Sequence, residues 1–335
     1  MTSLSAKRQQ ECFELLKGLY DPNSLVYNCC TREIVQAIVT WRCPPIIVEK
    51  EDRTEYRDPD NAEVIHRGND QPAVIWVGGS ENWYKDGKLH RDGDQPAEIW
   101  SDGSKFWYKD GLKHRDGDQP AEIWANRGMC WFKDGKPHRD GDQPAEIWAN
   151  GDRFWFKNGK RHRDGDQPAS IYADGTMFWW KDGKKHRDND QPAEIMANGS
   201  KFWYKDGKLH RNGDQPAVIE ASGNRCWYKD GKRHRVTESD EPAVIDADGN
   251  RCWYKDDVRH RDGDQPAAIY ADGSMCWYKD DKLHRDGDQP AEIWANGHRS
   301  WHKDGKRHRD GDQPAAIWAD GSREWWVDDV RQPDR

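Results

Sequence analysis

Histidine and aspartate, the side chains best suited to moving protons or holding metal ions, recur in this chain at fixed spacing. A His-Arg pair stands at His66-Arg67, His90-Arg91, His114-Arg115, His138-Arg139 and seven further places, ending at His308-Arg309. The acidic turn Asp-Gly-Asp occupies 92–94, 116–118, 140–142, 164–166, 262–264, 286–288 and 310–312. A histidine column suits a metal site, a base or a stacking partner, and paired carboxylates suit Ca²⁺. The spacing argues against metal. If each repeat adds two strands, equivalent histidines lie roughly 10 Å apart, too far to share one zinc at about 2 Å per bond. Calcium takes six to eight oxygens, more than one Asp-Gly-Asp supplies, and turn formation alone accounts for Asp and Gly. Two readings of the histidines go forward: packing on the Trp of the same repeat, and a charge response to pH. Charging all 13 histidines below roughly pH 6.5 would carry the formal charge from −8 to about +5.

Catalysis needs one preorganised constellation, whereas every polar residue type here recurs with the period. No Ser-His-Asp set, phosphate-binding Gly loop or metal signature stands apart from it. The expectation is a protein that is not an enzyme, with no metal and no cofactor. Cys226, Cys252 and Cys276 form a column just before an invariant Trp, where other copies carry Phe. Their spacing of about 10 Å exceeds the ~7 Å reach of a disulfide, so they read as small core residues. The eight cysteines include no Cys-x-x-Cys pair, which fits reduced thiols in a cytoplasm.

The element that positions these groups is a 24-residue repeat. Pro recurs at 72, 96, 120, 144, 168, 192, 216, 242, 266, 290 and 314, with one two-residue insertion within 235–242. Each Pro is followed by Ala, then by an invariant Ile (Ile99, Ile123) and an invariant Trp (Trp107, Trp131), with His114 and His138 in the His-Arg column. Self-similarity at a fixed period marks a repeat architecture. Two short runs rich in Ile, Trp and Tyr flank an Asp-Gly or Asn-Gly, the strongest short hairpin signal, and the density of Gly, Pro and Asp excludes a helix. A two-residue turn at Asp102-Gly103 would set Ile99 opposite Phe106, with Ala97, Ile99, Phe106 and Tyr108 on one face. A longer loop would slip the register and exchange the faces. A second two-residue turn would place Trp107 opposite His114. One repeat buries too little to stand alone, so neighbours must stack, giving a twisted rod on the order of 100 Å long.

Segments such as DGSKFWYKDGLKHR (102–115) and DGSMCWYKDDKLHR (272–285) resemble MORN repeats, and closely resemble the MORN-repeat variants of large DNA viruses, some phages and bacteria. The resemblance spans about residues 60–335. It implies a β-hairpin solenoid with a binding or scaffolding role, and a viral source. Arg67, Arg91 and Arg115 stand where the usual unit has Gly after His, which weighs against carrying over the lipid binding claimed for some eukaryotic members.

The expected architecture is therefore mainly β: an elongated single-sheet array of antiparallel hairpins at 59–335, with a partial first unit at 60–70 and an atypical last repeat as C-terminal cap. Residues 1–58 do not repeat. Leu15, Leu16 and Leu19, then Ile34, Val35, Ile38 and Val39, follow helical spacing, so this segment reads as a small N-terminal helical cap.

Twenty Trp, eleven Tyr and seven Phe argue against the disorder that 34% charged residues would otherwise suggest. No 18-residue apolar run exists to span a bilayer, and the N-terminus lacks a signal peptide's apolar stretch. The net charge of −8 weighs against general nucleic-acid binding. An aromatic column (Trp76, Trp100, Trp124, Trp148, Tyr172, then Tyr270, Trp294, Trp318) is broken by Met196, Glu220 and Asp246, close to the insertion that supplies Glu238, Asp240 and Glu241. Those six residues are the candidate binding patch. The function expected is a rod-shaped interaction or scaffold protein of the host-cell cytoplasm or a virion, holding a protein partner and open to self-association. The alternative is a surface for anionic lipid, glycan or single-stranded nucleic acid through aromatic and Lys columns, with membrane association the less favoured.

Overall fold

The computed structural model describes residues 45–235 and 240–333, and every regular element among them is a β-strand. The helical stripes expected at 13–19 and 34–39 lie outside the described residues. The described remainder of the 1–58 segment forms strands, with no helix. Ile46–Glu49 pairs antiparallel with Arg53–Arg57, which pairs in turn with Val74–Trp76 of the first repeat. The β-branched run Ile46, Ile47, Val48 and the alternation around Thr54 and Tyr56 favour a strand over a helix. Glu55 in this hairpin is buried and receives Lys50, Arg53 and Arg57, which together hold its carboxyl down at about 2 against the cost of burial.

The chain forms two compact units, Met1–Ala149 and Asn150–Arg335, built from the same hairpin. In the first, Glu98–Ile99 pairs with Lys105–Phe106, which pairs onward with Glu122–Ile123. In the second, Glu194–Ile195, Lys201–Phe202 and Val218–Ile219 follow the same order.

The first loop is one residue longer than a two-residue turn. Ser104 C=O accepts the Trp100 N–H at 2.9 Å, Trp100 C=O accepts the Gly103 N–H at 2.9 Å, and Gly103 takes a φ of +91°. This is a three-residue connection with glycine at the left-handed position, fixed by Asp102, whose carboxylate accepts the Ser104 N–H at 2.8 Å. The register therefore slips: Ile99 stands opposite Lys105, and Glu98 opposite Phe106. Glu98, Trp100, Ser104 and Phe106 share one face of the sheet, while Ile99 and Lys105 point to the other.

The second loop is the two-residue turn expected. Asp110 and Gly111 take φ of +53° and +82°, Lys109 faces Leu112, and Trp107 C=O accepts the His114 N–H at 3.1 Å.

Neighbouring repeats are joined through backbone groups. Ala97 C=O accepts the Trp83 N–H at 2.7 Å, and Leu89 C=O accepts the Gly111 N–H at 2.8 Å. Ser104 Oγ accepts the Ala125 N–H at 3.0 Å. The Ala after each Pro is fully buried in all eleven copies, from Ala73 to Ala315, which explains why no larger residue occurs there.

Candidate functional site

The His-Arg column and the acidic loops meet between successive repeats, and arginine is the centre of the arrangement. The Arg115 guanidinium lies 3.9 Å from the centroid of the Trp107 ring. Its Nε and Nη2 donate to the two oxygens of Asp94 in the preceding loop, at 2.5 and 2.8 Å, and Nη1 donates to Pro120 C=O at 3.2 Å. One side chain thus holds its own repeat, the loop before and the proline after through cation–π contact and a bidentate ion pair. Arg91, Arg139, Arg187, Arg285 and Arg309 repeat the geometry on Trp83, Trp131, Trp179, Trp277 and Trp301. The hydrogen bond from arginine holds the carboxyls of Asp94, Asp118, Asp166, Asp264 and Asp288 below the usual carboxylate range.

The ring of the invariant Trp is therefore stacked by Arg, where the sequence reading placed His. Sequence reasoning missed this role, although a signal existed. The residue two before each Pro is Asp even where the loop is rewritten, as at Asp70, Asp190, Asp214 and Asp240, and each of these binds the Arg of the next repeat.

The histidines serve the next contact along. His114 Nε2 lies 3.0 Å from Asp116 Oδ1, and Nδ1 accepts the Asp134 N–H of the following repeat at 3.2 Å. Nδ1 also lies 3.1 Å from Asp134 Oδ1, so both ring nitrogens are engaged within the array. The first Asp of each acidic loop binds His and, as in Asp164 with Lys157 at 3.0 Å, a lysine. The second binds Arg, as Asp94, Asp118, Asp166, Asp264 and Asp288 do. Solvent-open cavities remain between successive loops: about 560 Å³ beside Trp131 in the first unit, and about 320 and 280 Å³ beside Trp179 and Trp301 in the second. Their walls are these same His, Arg, Asp and Lys side chains.

The sheet face shared by Glu98, Trp100 and Phe106 carries the aromatic column. Trp100 packs 4.9 Å from Phe106 and edge-on to Trp124 at 5.6 Å, and Trp148 lies 6.5 Å beyond Trp124. The rings interlock, so they do not form an open stack of parallel faces. Trp100 Nε1 donates to Glu98 at 2.8 Å, which fixes the ring while 40% of the residue stays exposed. The thiols of the cysteine column are free, and burial pushes Cys226 up to about 11 and Cys276 up to about 12.

The described residues of the candidate patch have separate partners. Glu220 accepts hydrogen bonds from Asn224 Nδ2 at 2.7 Å and Ser222 Oγ at 3.1 Å. Asp246 accepts from Asn250 Nδ2 at 2.7 Å and from the backbone N–H groups of Asp248 and Asn250, which lower its carboxyl's pKa. Both acids replace an aromatic ring by closing their own hairpin loop. Met196 stands at the same repeat position one repeat earlier, half-buried. Asp240 belongs to the arginine arrangement, binding Arg261 Nε at 2.7 Å while its carbonyl accepts the Trp253 Nε1–H at 2.9 Å. Glu241 is half-buried, and Glu238 lies outside the described residues.

No protein-family model matches the chain, and no curated protein matches its sequence. Among the described residues no helix is long and apolar enough to cross a membrane.

Proposed function

We propose that the chain is a non-catalytic interaction or scaffold protein that holds a protein partner on its repeat-spaced side-chain columns. The observation that carries this reading is the use of the ionisable groups. His114, Arg115, Asp94 and Asp116, the types that would do chemistry, bind one another and the backbone of neighbouring repeats. What the array offers outward is a set of residues displayed once per repeat. The resemblance to viral MORN-repeat variants supports the same role, with a cytoplasmic or virion setting. The test is affinity capture with the full chain and with a variant charge-reversed on its exposed columns. Recovery of one protein by the unaltered chain alone supports the reading; equal recovery by both overturns it.

A second reading, a glycan-binding groove, is favoured by Trp100 and Trp294, which are 40% and 43% exposed. Quenching of tryptophan fluorescence by soluble polysaccharide that persists in high salt would establish it, whereas anionic lipid or single-stranded nucleic acid would dissociate as salt rises.

A further inference from the structure

The sheet face opposite the aromatic column carries a charge pattern that the Arg–Asp and His–Asp contacts do not use. In the unit Asn150–Arg335, the strand residues facing the invariant Ile column include Arg153, Lys201, Arg225, Arg251, Arg299 and Arg323. The two remaining places are Met177 and Met275, and no carboxylate takes this position in the unit. All six cations are exposed, each beside a half-buried Ile. Among the described residues none of the six has an ion pair or a side-chain hydrogen bond. Elsewhere in the unit cations are paired, as Arg187 with Asp166 and Lys157 with Asp164. The acids adjacent in sequence, Asp152 beside Arg153 and Glu324 beside Arg323, are bound elsewhere: Asp152 accepts from Asn150 Nδ2 and the Ala173 N–H, and Glu324 from Trp326 Nε1. The hairpin-tip acids Asp174, Asp272 and Asp320 accept backbone N–H groups of their own loops.

The same unit presents a complementary column. Asp164, Asp188, Asp262, Asp286 and Asp310 project from the acidic loops with side chains 65–84% exposed. Both columns share the repeat period, roughly 10 Å for two strands. We propose that the cationic strip takes the aspartate edge of a second copy of this chain. This rests on the interaction reading above and names the partner. A second copy matches the strip's pitch by construction, which an unrelated partner does only by coincidence. A carboxylate has about four acceptor positions, so an Asp already bound by His and Lys still accepts an arginine. Each exposed pair is weak by itself, and the strength comes from several pairs closing together. Because strip and edge are different surfaces, the contact is heterologous and leaves one of each free, so association continues beyond a dimer.

The test is sedimentation velocity of the full chain. The unaltered protein forms species larger than a dimer in low salt and returns to monomer near 1 M, where the screening length is about 3 Å. A strip variant (Arg225→Glu, Arg251→Glu, Arg299→Glu) and an edge variant (Asp262→Lys, Asp286→Lys, Asp310→Lys) each stay monomeric, with unchanged circular dichroism. Mixed, they associate beyond a dimer again, since the Arg strip meets the Asp edge and the Glu strip meets the Lys edge. A chain monomeric in low salt, self-association unaffected by the strip variant, or a mixture that stays monomeric overturns the proposal. A monomeric chain that still captures a different protein through the strip overturns it while leaving the interaction reading intact. One that binds a single-stranded oligonucleotide there assigns the strip to a polyanion instead.

Discussion

Arg115 reaches Asp94, 21 residues earlier in the chain, with two hydrogen bonds made while its guanidinium lies over Trp107. Within each of the two units the same contact recurs, holding a repeat to the loop of the one before, as Arg139 to Asp118 and Arg285 to Asp264. Asp94 is 64% exposed and the arginine only 12%, so solvent screens the charge part and the ring contact carries much of the rest. Arg115→Ala is expected to cost about 1–3 kcal/mol. Arg115→Lys should fall between, because a lysine keeps the charge and loses the planar two-pronged geometry. Urea unfolding measures both; a change below about 0.5 kcal/mol for the alanine variant would show the clamp to be ornamental.

Acid should loosen the same contacts. An unfolded Asp titrates near ~3.9, and the arginines hold Asp94, Asp118 and Asp288 lower in the folded chain. A depressed carboxylate contributes stability that is complete above the unfolded value and is lost as pH falls through the folded one. The thermal midpoint should therefore drop below about pH 4. The double variant Asp94→Asn, Asp118→Asn should start lower and fall less steeply. Parallel curves would sink the assignment.

Much of this was readable in the sequence, and what escaped has identifiable causes. Period, hairpins and the Asp110-Gly111 turn follow from residue types whose backbone preferences are local. The first register did not, because Asp102-Gly103 suits both a two-residue turn and the three-residue loop that forms; the choice lies in Asp102 accepting the Ser104 N–H. Arg115 was passed over because its partner Asp94 belongs to another repeat. The patch at Glu220 and Asp246 looked like an acidic surface because the Asn224 and Asn250 amides that bind them are distant enough in sequence to read as ordinary loop residues.

The cysteine column should be chemically quiet. With Cys226 raised to about 11 by burial, about one thiol in a thousand is ionised near pH 8, against about one in four for an unperturbed thiol. Alkylation by iodoacetamide, followed peptide by peptide, should be about a hundredfold slower at Cys226 and Cys276 than in the urea-unfolded chain. Equal rates would place these thiols in solvent.

The turns that carry Asp where other copies have Gly make the last prediction. Asp257 and Asp281 take φ of +70° and +63°, a conformation that costs a residue with a side chain about 1–2 kcal/mol. Each recovers part of it by bonding back to the previous repeat: Asp257 accepts the Arg233 N–H at 3.0 Å, and Asp281 the Arg259 N–H at 2.7 Å. Asp257 also binds Arg233 Nε at 3.0 Å. Removing the carboxylate while keeping a side chain should therefore cost more than removing both. Asp257→Ala loses the hydrogen bonds and keeps the strain, for a loss of about 1–2 kcal/mol. Asp257→Gly loses the bonds but relieves the strain, and should be close to neutral. Gly111→Asp makes the opposite change in a repeat whose preceding partner is Leu89, and the new carboxylate should find the Leu89 N–H there. Its cost in urea unfolding should then be smaller than that of Gly111→Ala, and the reverse order would show that the back-bond does not offset the left-handed turn.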